Sequence, residues 1–224
     1  MKRHLTRELD RLKQRILAIS AIVEENVQRA VLAIQRHDTA LARRVIESDT
    51  QIDLMEVDME EECLKTLALY QPVAFELRFI VAILKINNDL ERIGDLSVNI
   101  AERTSLLPYN EHFADFFDFT GMSKRVQSML KRSLDALVNI DPSIAKEVCA
   151  CDDEIDEMNR RTFGRIKQAL RDNPAKIDTY IHLLSISRHL ERIADLTTNI
   201  AEDVIYMAEG EIVRHRTQDY NLKS

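Results

Sequence analysis

Glycine and proline are scarce in this chain, four of each in 224 residues, and aromatic residues make up only 5%. That poverty of turn formers argues against a sheet fold. Charged residues at 31%, with abundant Ala, Leu, Ile, Glu and Arg, point instead to helices. No glycine-rich phosphate loop exists, and no Ser/His/Asp or Cys/His constellation stands out, so nucleophilic catalysis has no support and the protein does not read as an enzyme. Cys63, Cys149 and Cys151 are an odd count without a disulfide framework. The Cys-x-Cys at 149–151 has no second pair or nearby histidine to complete a zinc site. Basic residues are outnumbered, 31 against 38 acidic, and the net charge of −7 argues against a nucleic-acid footprint. The first residues, MKRHLTRELDRLKQ, are charged throughout, unlike a signal peptide. The longest apolar run, FIVAIL at 79–84, is too short to span a bilayer. These features read as a soluble, cytoplasmic protein.

What the chain does have is period. Leu5, Leu9, Leu12, Ile16, Ile19, Val23, Val27, Val31 and Ile34 step by three and four, which predicts one long amphipathic helix. RHD at 36–38 breaks it, and a second helix runs through Val45, Ile52, Met59 and Cys63 to about Tyr70. Pro72 ends that helix, since proline disfavours helical geometry in the residue before it. A third helix spans about 73–104. The same plan then returns: a helix capped by Ser123, a turn at NIDP (139–142), a helix to about Leu170, a turn at RDNP (171–174) and a last helix to about Ala208.

The phrase LERIGDLSVNIAE at 90–102 recurs as LERIADLTTNIAE at 190–202, with ten of thirteen positions identical. The expected fold is therefore all-α, two tandem three-helix bundles of six long antiparallel helices built on an internal repeat. Residues 1–107 form the first bundle, 108–122 an aromatic-rich linker, 123–210 the second bundle and 211–224 a polar tail. Four of the seven phenylalanines (Phe113, Phe116, Phe117 and Phe119) fall in the linker, which is expected to pack back onto the bundles.

The repeated phrase also repeats its acids. At about 100° per residue from Ile93, the core residues Ile86, Leu90, Leu96 and Ile100 cluster within about 60°, and Glu91, Asp95, Asn99 and Glu102 lie near 160–240°. The second helix of each half carries its own i, i+4 pair, Asp49/Asp53 and Asp152/Asp156. Asp49 and Asp53 lie 22 and 18 residues before Gln71, and Glu91 and Asp95 lie 20 and 24 after it. At about 1.5 Å per residue the two pairs reach one height on adjacent antiparallel helices. The same count about Asn173 aligns Asp152 and Asp156 with Glu191 and Asp195. Four carboxylates at one level repel unless a cation or protons neutralise them. Oxygen-only ligand sets suit hard cations such as Mg, Mn and Fe, and Zn also accepts carboxylates. The plainer reading is a solvated acidic face with i, i+3 ion pairs from Arg92, Arg188 and Arg192. A ferritin-like di-iron protein is a third reading, but none of the six histidines has a Glu three residues earlier, as that fold requires.

The segments LALYQPVAFELRFIVAILKINNDLERIGDLSVNIAE (67–102), HLERIADLTTNIAE (189–202) and YMAEGEIVRH (206–215) resemble the PhoU family, cytoplasmic regulators of bacterial phosphate uptake. The resemblance covers nearly the whole chain. It implies two tandem three-helix bundles, a homodimer, and surface metal ions or clusters held by E(D)xxxD motifs. Asp49–Asp53, Glu91–Asp95, Asp152–Asp156 and Glu191–Asp195 match that motif. Where many members carry His after the second acid of the repeated phrase, this chain has Leu96 and Leu196. The resemblance further implies negative control of phosphate uptake and of the phosphate-starvation response, with a phosphate ABC transporter and a sensor histidine kinase as partners. Membrane association would then be peripheral and only through those partners. A metal-free scaffold acting through protein contacts alone remains the alternative.

Overall fold

Long amphipathic stretches with few breakers fold into rods. The computed structural model describes residues 2–108 and 117–211, and contains no strand among them. In chain order the helices are α1 (Lys2–Arg36), α2 (Thr39–Tyr70), α3 (Ala74–Glu102), α4 (Phe119–Asn139), α5 (Pro142–Cys149), α6 (Asp152–Asp172) and α7 (Ile177–Glu209). Single 3₁₀ turns follow α3 and precede α7. Phe113 and Phe116 of the expected linker, and the expected tail from 212 onward, lie outside the described residues.

The turns between first and second helices use the same device in both halves. His37 and Ile140 adopt left-handed geometry (φ 49° and 51°), and the aspartate that follows caps the next helix. Asp38 accepts the amide of Leu41 at 2.9 Å, and Asp141 accepts that of Ser143 at 2.8 Å. Each cap satisfies an amide left orphaned in the first turn of the helix. Gln71 (φ 46°) closes α2 before Pro72.

Two expectations need correction. The helix expected from 142 to 170 is two helices, because at 150–151 the ladder tightens and Cys151 N–H bonds Val148 C=O at 3.0 Å. Asp152, Asp153 and Glu154 then fill the first turn of α6, where acids complement the helix dipole. The run CDDE is therefore a helix start rather than mid-helix surface. In addition, Asp118, not Ser123, caps α4, accepting Gly121 N–H at 2.9 Å. Beside it Phe117 is buried and stacks edge-on against Phe119 (centroids 5.7 Å, 74°), so this end of the linker does pack down through its aromatics.

α1, α2 and α3 pack together as one bundle, and α4 with α5, α6 and α7 as the other. The most extensive interface among the described residues joins α3 to α7, and the buried residues of both bundles form one connected core. α3 and α7 run antiparallel. Lys85 bonds the buried Asp203 at 2.9 Å near one end, and Arg103 bonds Ser185 at 3.0 Å near the other. These contacts occupy repeat-equivalent positions, 85 with 185 and 103 with 203. The bundles are thus related by an approximate two-fold axis passing near Gly94 and Ala194. Such a rotation reverses the helix direction but keeps outward faces on the same side. On α3, positions 85 and 103 lie about 100° from the acidic stripe. The stripes of α3 and α7 therefore face one side of the molecule, flanking the α3–α7 seam.

Candidate functional site

In the first bundle the acids of α2 and α3 meet in one groove. Asp49 is pushed up to about 6, first by burial and then by the charges of Asp53 and Asp95. Glu91 is raised by burial and by Asp95, Asp53, Glu56 and Asp49. Asp95 is raised by burial and by Asp53. All four expected residues thus lie within electrostatic reach of one another. The rotation of α2, which spacing alone leaves open, turns its acids toward the groove. Ile52 keeps the core face, and Asp49, on its flank, is half-buried with one carboxylate oxygen, Oδ1, enclosed and without a hydrogen-bond partner among the described residues. Gly94 makes room for this. A Cβ there would stand 3.1 Å from Ile52 Cδ1 and 3.5 Å from Asp49 Oδ1.

The second bundle draws the corresponding acids of α6 and α7 closer together than any three acids of the first bundle, among the described residues. Asp156, Glu191 and Asp195 each bring one carboxylate oxygen within 4.8 Å of the others. Asp152 sits beside them, raised to about 6 by burial and by Asp195 and Asp156, while a hydrogen bond from Thr198 (3.4 Å) works the other way. Burial and Asp195 raise Asp156, and burial, Asp195 and Asp156 raise Glu191.

The twins are not equal. Arg192 pairs with Asp195 at 2.9 Å, Arg188 and Arg192 favour ionised Glu191, and Arg160 favours ionised Asp156. Among the described residues no arginine or lysine acts on Asp49, Glu91 or Asp95. The first groove also gains a fifth acid, Glu56, raised by burial, Glu60 and Asp53 and held by Asn87 (2.9 Å to its carbonyl, 3.2 Å to its carboxylate). Its counterpart is Asn159, which accepts from Ser187 at 2.8 Å. Reading by repeat hides Glu56, because the twin position is neutral; its place three residues beyond Asp53 is the available signal. Thr198 is hidden likewise, since its counterpart is Val98.

A dense, partly desolvated set of carboxylate oxygens holds protons or cations. The donor set is all oxygen, and one buried oxygen has no hydrogen-bond donor among the described residues, so the residues present fit a hard cation. His189 stands apart from the grooves: held low at about 4 by burial, Arg103 and Arg188, it lies 3.3 Å from Ser185 at the α3–α7 seam.

Comparison with known proteins agrees with the repeat. The family model of the PhoU domain matches twice, at residues 16–104 and 119–204. A protein of Aquifex aeolicus named phosphate-specific transport system accessory protein PhoU homolog is 38% identical over 212 residues, 95% of this chain and 96% of its own. A Pseudomonas aeruginosa protein of the same name is 35% identical over 209 residues, 93% of this chain and 86% of its own. Among solved structures, PhoU from Pseudomonas aeruginosa superposes with a TM-score of 0.87 at 33% identity, covering 92% of this chain and 99% of that one. The phosphate transport system regulatory protein PhoU from Streptococcus pneumoniae gives 0.85 at 31% identity, covering 93% and 99%.

Proposed function

The chain belongs to the PhoU domain family, and from that premise we propose that it is an accessory protein of a phosphate transport system that restrains uptake when phosphate is plentiful. In this reading it works in the cytoplasm as a non-enzymatic adaptor and homodimer, between a phosphate ABC transporter and a sensor histidine kinase. It keeps the phosphate-starvation genes off. No helix among the described residues is long and apolar enough to cross a membrane, which accords with membrane contact made only through partners.

The observation that carries the mechanism is the pair of acidic grooves, one in each matched domain, opening on one face. We read Asp49, Asp53, Glu91 and Asp95, and their twins Asp152, Asp156, Glu191 and Asp195, as holding divalent or trivalent metal ions. The oxygen-only donors favour Mg, Mn or Fe over Zn. A bound cation would remove the repulsion within each groove and tie α2 to α3 and α6 to α7. The chain's own residues do the rest: Gly94 lets Asp49 reach inward, and Thr198 orients Asp152.

Deletion of the gene in its host tests the regulatory role. The phosphate-starvation genes should stay on in phosphate-rich medium and return to repression with the intact gene. Normal repression in the deletion strain, with no second copy present, contradicts the reading. Complementation with Glu91→Ala/Asp95→Ala/Glu191→Ala/Asp195→Ala asks separately whether the grooves are needed.

A further inference from the structure

Among the helices of the first bundle, α2 carries an apolar stripe on its outward face. Leu54 is 65% exposed, Leu64 53%, Val57 50% and Ile46 39%, while Ile52, Met59 and Cys63 fill the core on the opposite side. On a helical wheel the four exposed residues fall within about 80° of one another, along about 27 Å of helix. The molecule supplies its own control. The repeat-equivalent positions of Leu54, Val57 and Leu64 are Glu157, Arg160 and Lys167 on α6, all charged. The fold therefore accepts solvated residues at these places, and the aliphatic side chains on α2 are not required for packing. Contiguous exposed apolar residues rimmed by charge mark interaction surfaces.

Along the stripe itself the rim is of one sign, with the exposed bases Arg43 and Lys65 standing just beyond its two ends. Between residues 45 and 64 the sequence has eight acids and no lysine or arginine, whereas 148–167 has five acids and four bases. Asp53 and Glu60 flank the stripe on one side, Asp58 on the other, and Glu61 lies within it; all are exposed. We propose that the outer face of α2 docks a basic amphipathic helix of another protein, its aliphatic side seated on Leu54, Val57 and Leu64 and its lysines or arginines paired with Asp58, Glu60 and Glu61. A second copy meeting α2 against α2 would set this acidic patch against itself, since a two-fold contact uses the same patch on both subunits. Helix-on-helix recognition of this kind reads anchors spaced by three, four and seven residues. The inference is independent of metal in the grooves and of the transport role.

The test uses the purified full chain and, as probe, a fluorescent amphipathic Leu/Lys helical peptide matched in length to the stripe. A second peptide with its leucines replaced by serine keeps the charge. The first peptide should bind, more weakly as salt rises, and the second should not. Leu54→Gln/Val57→Gln/Leu64→Gln should weaken binding by about tenfold or more. Leu54→Glu/Val57→Arg/Leu64→Lys, the residues α6 itself carries, should do the same, with the helical content of both variants unchanged. Asp58→Asn/Glu60→Gln/Glu61→Gln should flatten the salt dependence. Affinities within about twofold of the parent for both aliphatic variants overturn the proposal. So does sedimentation showing that the parent is a dimer which the Gln variant splits, because the face then belongs to a second copy.

Discussion

Replacing Asp49 by Asn should stabilise the metal-free protein at neutral pH, although it alters a residue of the proposed binding groove. In the folded chain Asp49 keeps its proton up to about pH 6, against 3.8 for the ordinary carboxyl. Between those values the folded state binds more protons than the unfolded one. Stability therefore falls as pH rises through this window and stays lowered above it. A carboxyl raised that far loses about 3 kcal/mol on ionising in the fold rather than in water. The groove mouth is open to water, and screening there reduces this to about 1.5 kcal/mol. For a chain of this size that is a rise in Tm of about 3–6 °C. Asn keeps the shape of the side chain and removes the charge. Thermal melts of chelator-treated protein should show Asp49→Asn above the parent at pH 7.5 and level with it near pH 4. Manganese should reverse the order at pH 7.5, since a bound cation stabilises only the form that can hold it. A lower Tm for the variant without metal, or an equal gain at both pH values, would refute the reasoning.

Two further substitutions probe the same framework. Val98→Thr places in the first groove the hydroxyl that Thr198 offers Asp152 in the second. It should bring the Asp49 pKa below about 6 in an NMR titration and add about 0.5–1 kcal/mol to metal-free stability. An unmoved Asp49 would mean that position 98 does not face it. Lys85→Met removes the cation from Asp203, whose side chain is 2% exposed, at the α3–α7 seam. It should cost about 2–4 kcal/mol, read as a fall in denaturation midpoint at constant m-value, with the acidic grooves unaffected. A change under about 0.5 kcal/mol would show that the bridge adds little to the joining of the bundles.

Much of the architecture is legible in the sequence because it depends on period. Leu12 to Ile34 and Ile80 to Ile100 step by helical intervals, and the repeated phrase announces two copies. The turns are legible because Asp38 and Asp141 are capping residues placed 103 apart. The break at 150–151 escapes such a reading since neither glycine nor proline marks it; a tightened turn and the acids of α6 suffice. The meeting of the bundles is not readable either. It depends on which flank of α3 and α7 is left once each bundle has filled its core. The acidic levels follow from counting residues, but the inward tilt of Asp49 follows from Gly94 and Ile52, a packing fact no spacing reveals. The difference between the grooves is present in the sequence as Glu56 against Asn159 and Val98 against Thr198. Attention to what the repeats share hides such differences.

The central claim is that each set of four carboxylates is a cation site. Titration calorimetry with Mn²⁺ on chelator-treated protein, with elemental analysis of the loaded protein, tests it most directly. The parent should bind in two classes, the tighter in the first groove, where no arginine among the described residues competes. Glu91→Ala/Asp95→Ala should remove that class and leave the helix content unchanged, because alanine is a good helix former. Glu191→Ala/Asp195→Ala should remove the weaker class. Equal metal content in the parent and both variants, or no binding by the parent, would contradict the account and leave the acids as a solvated face.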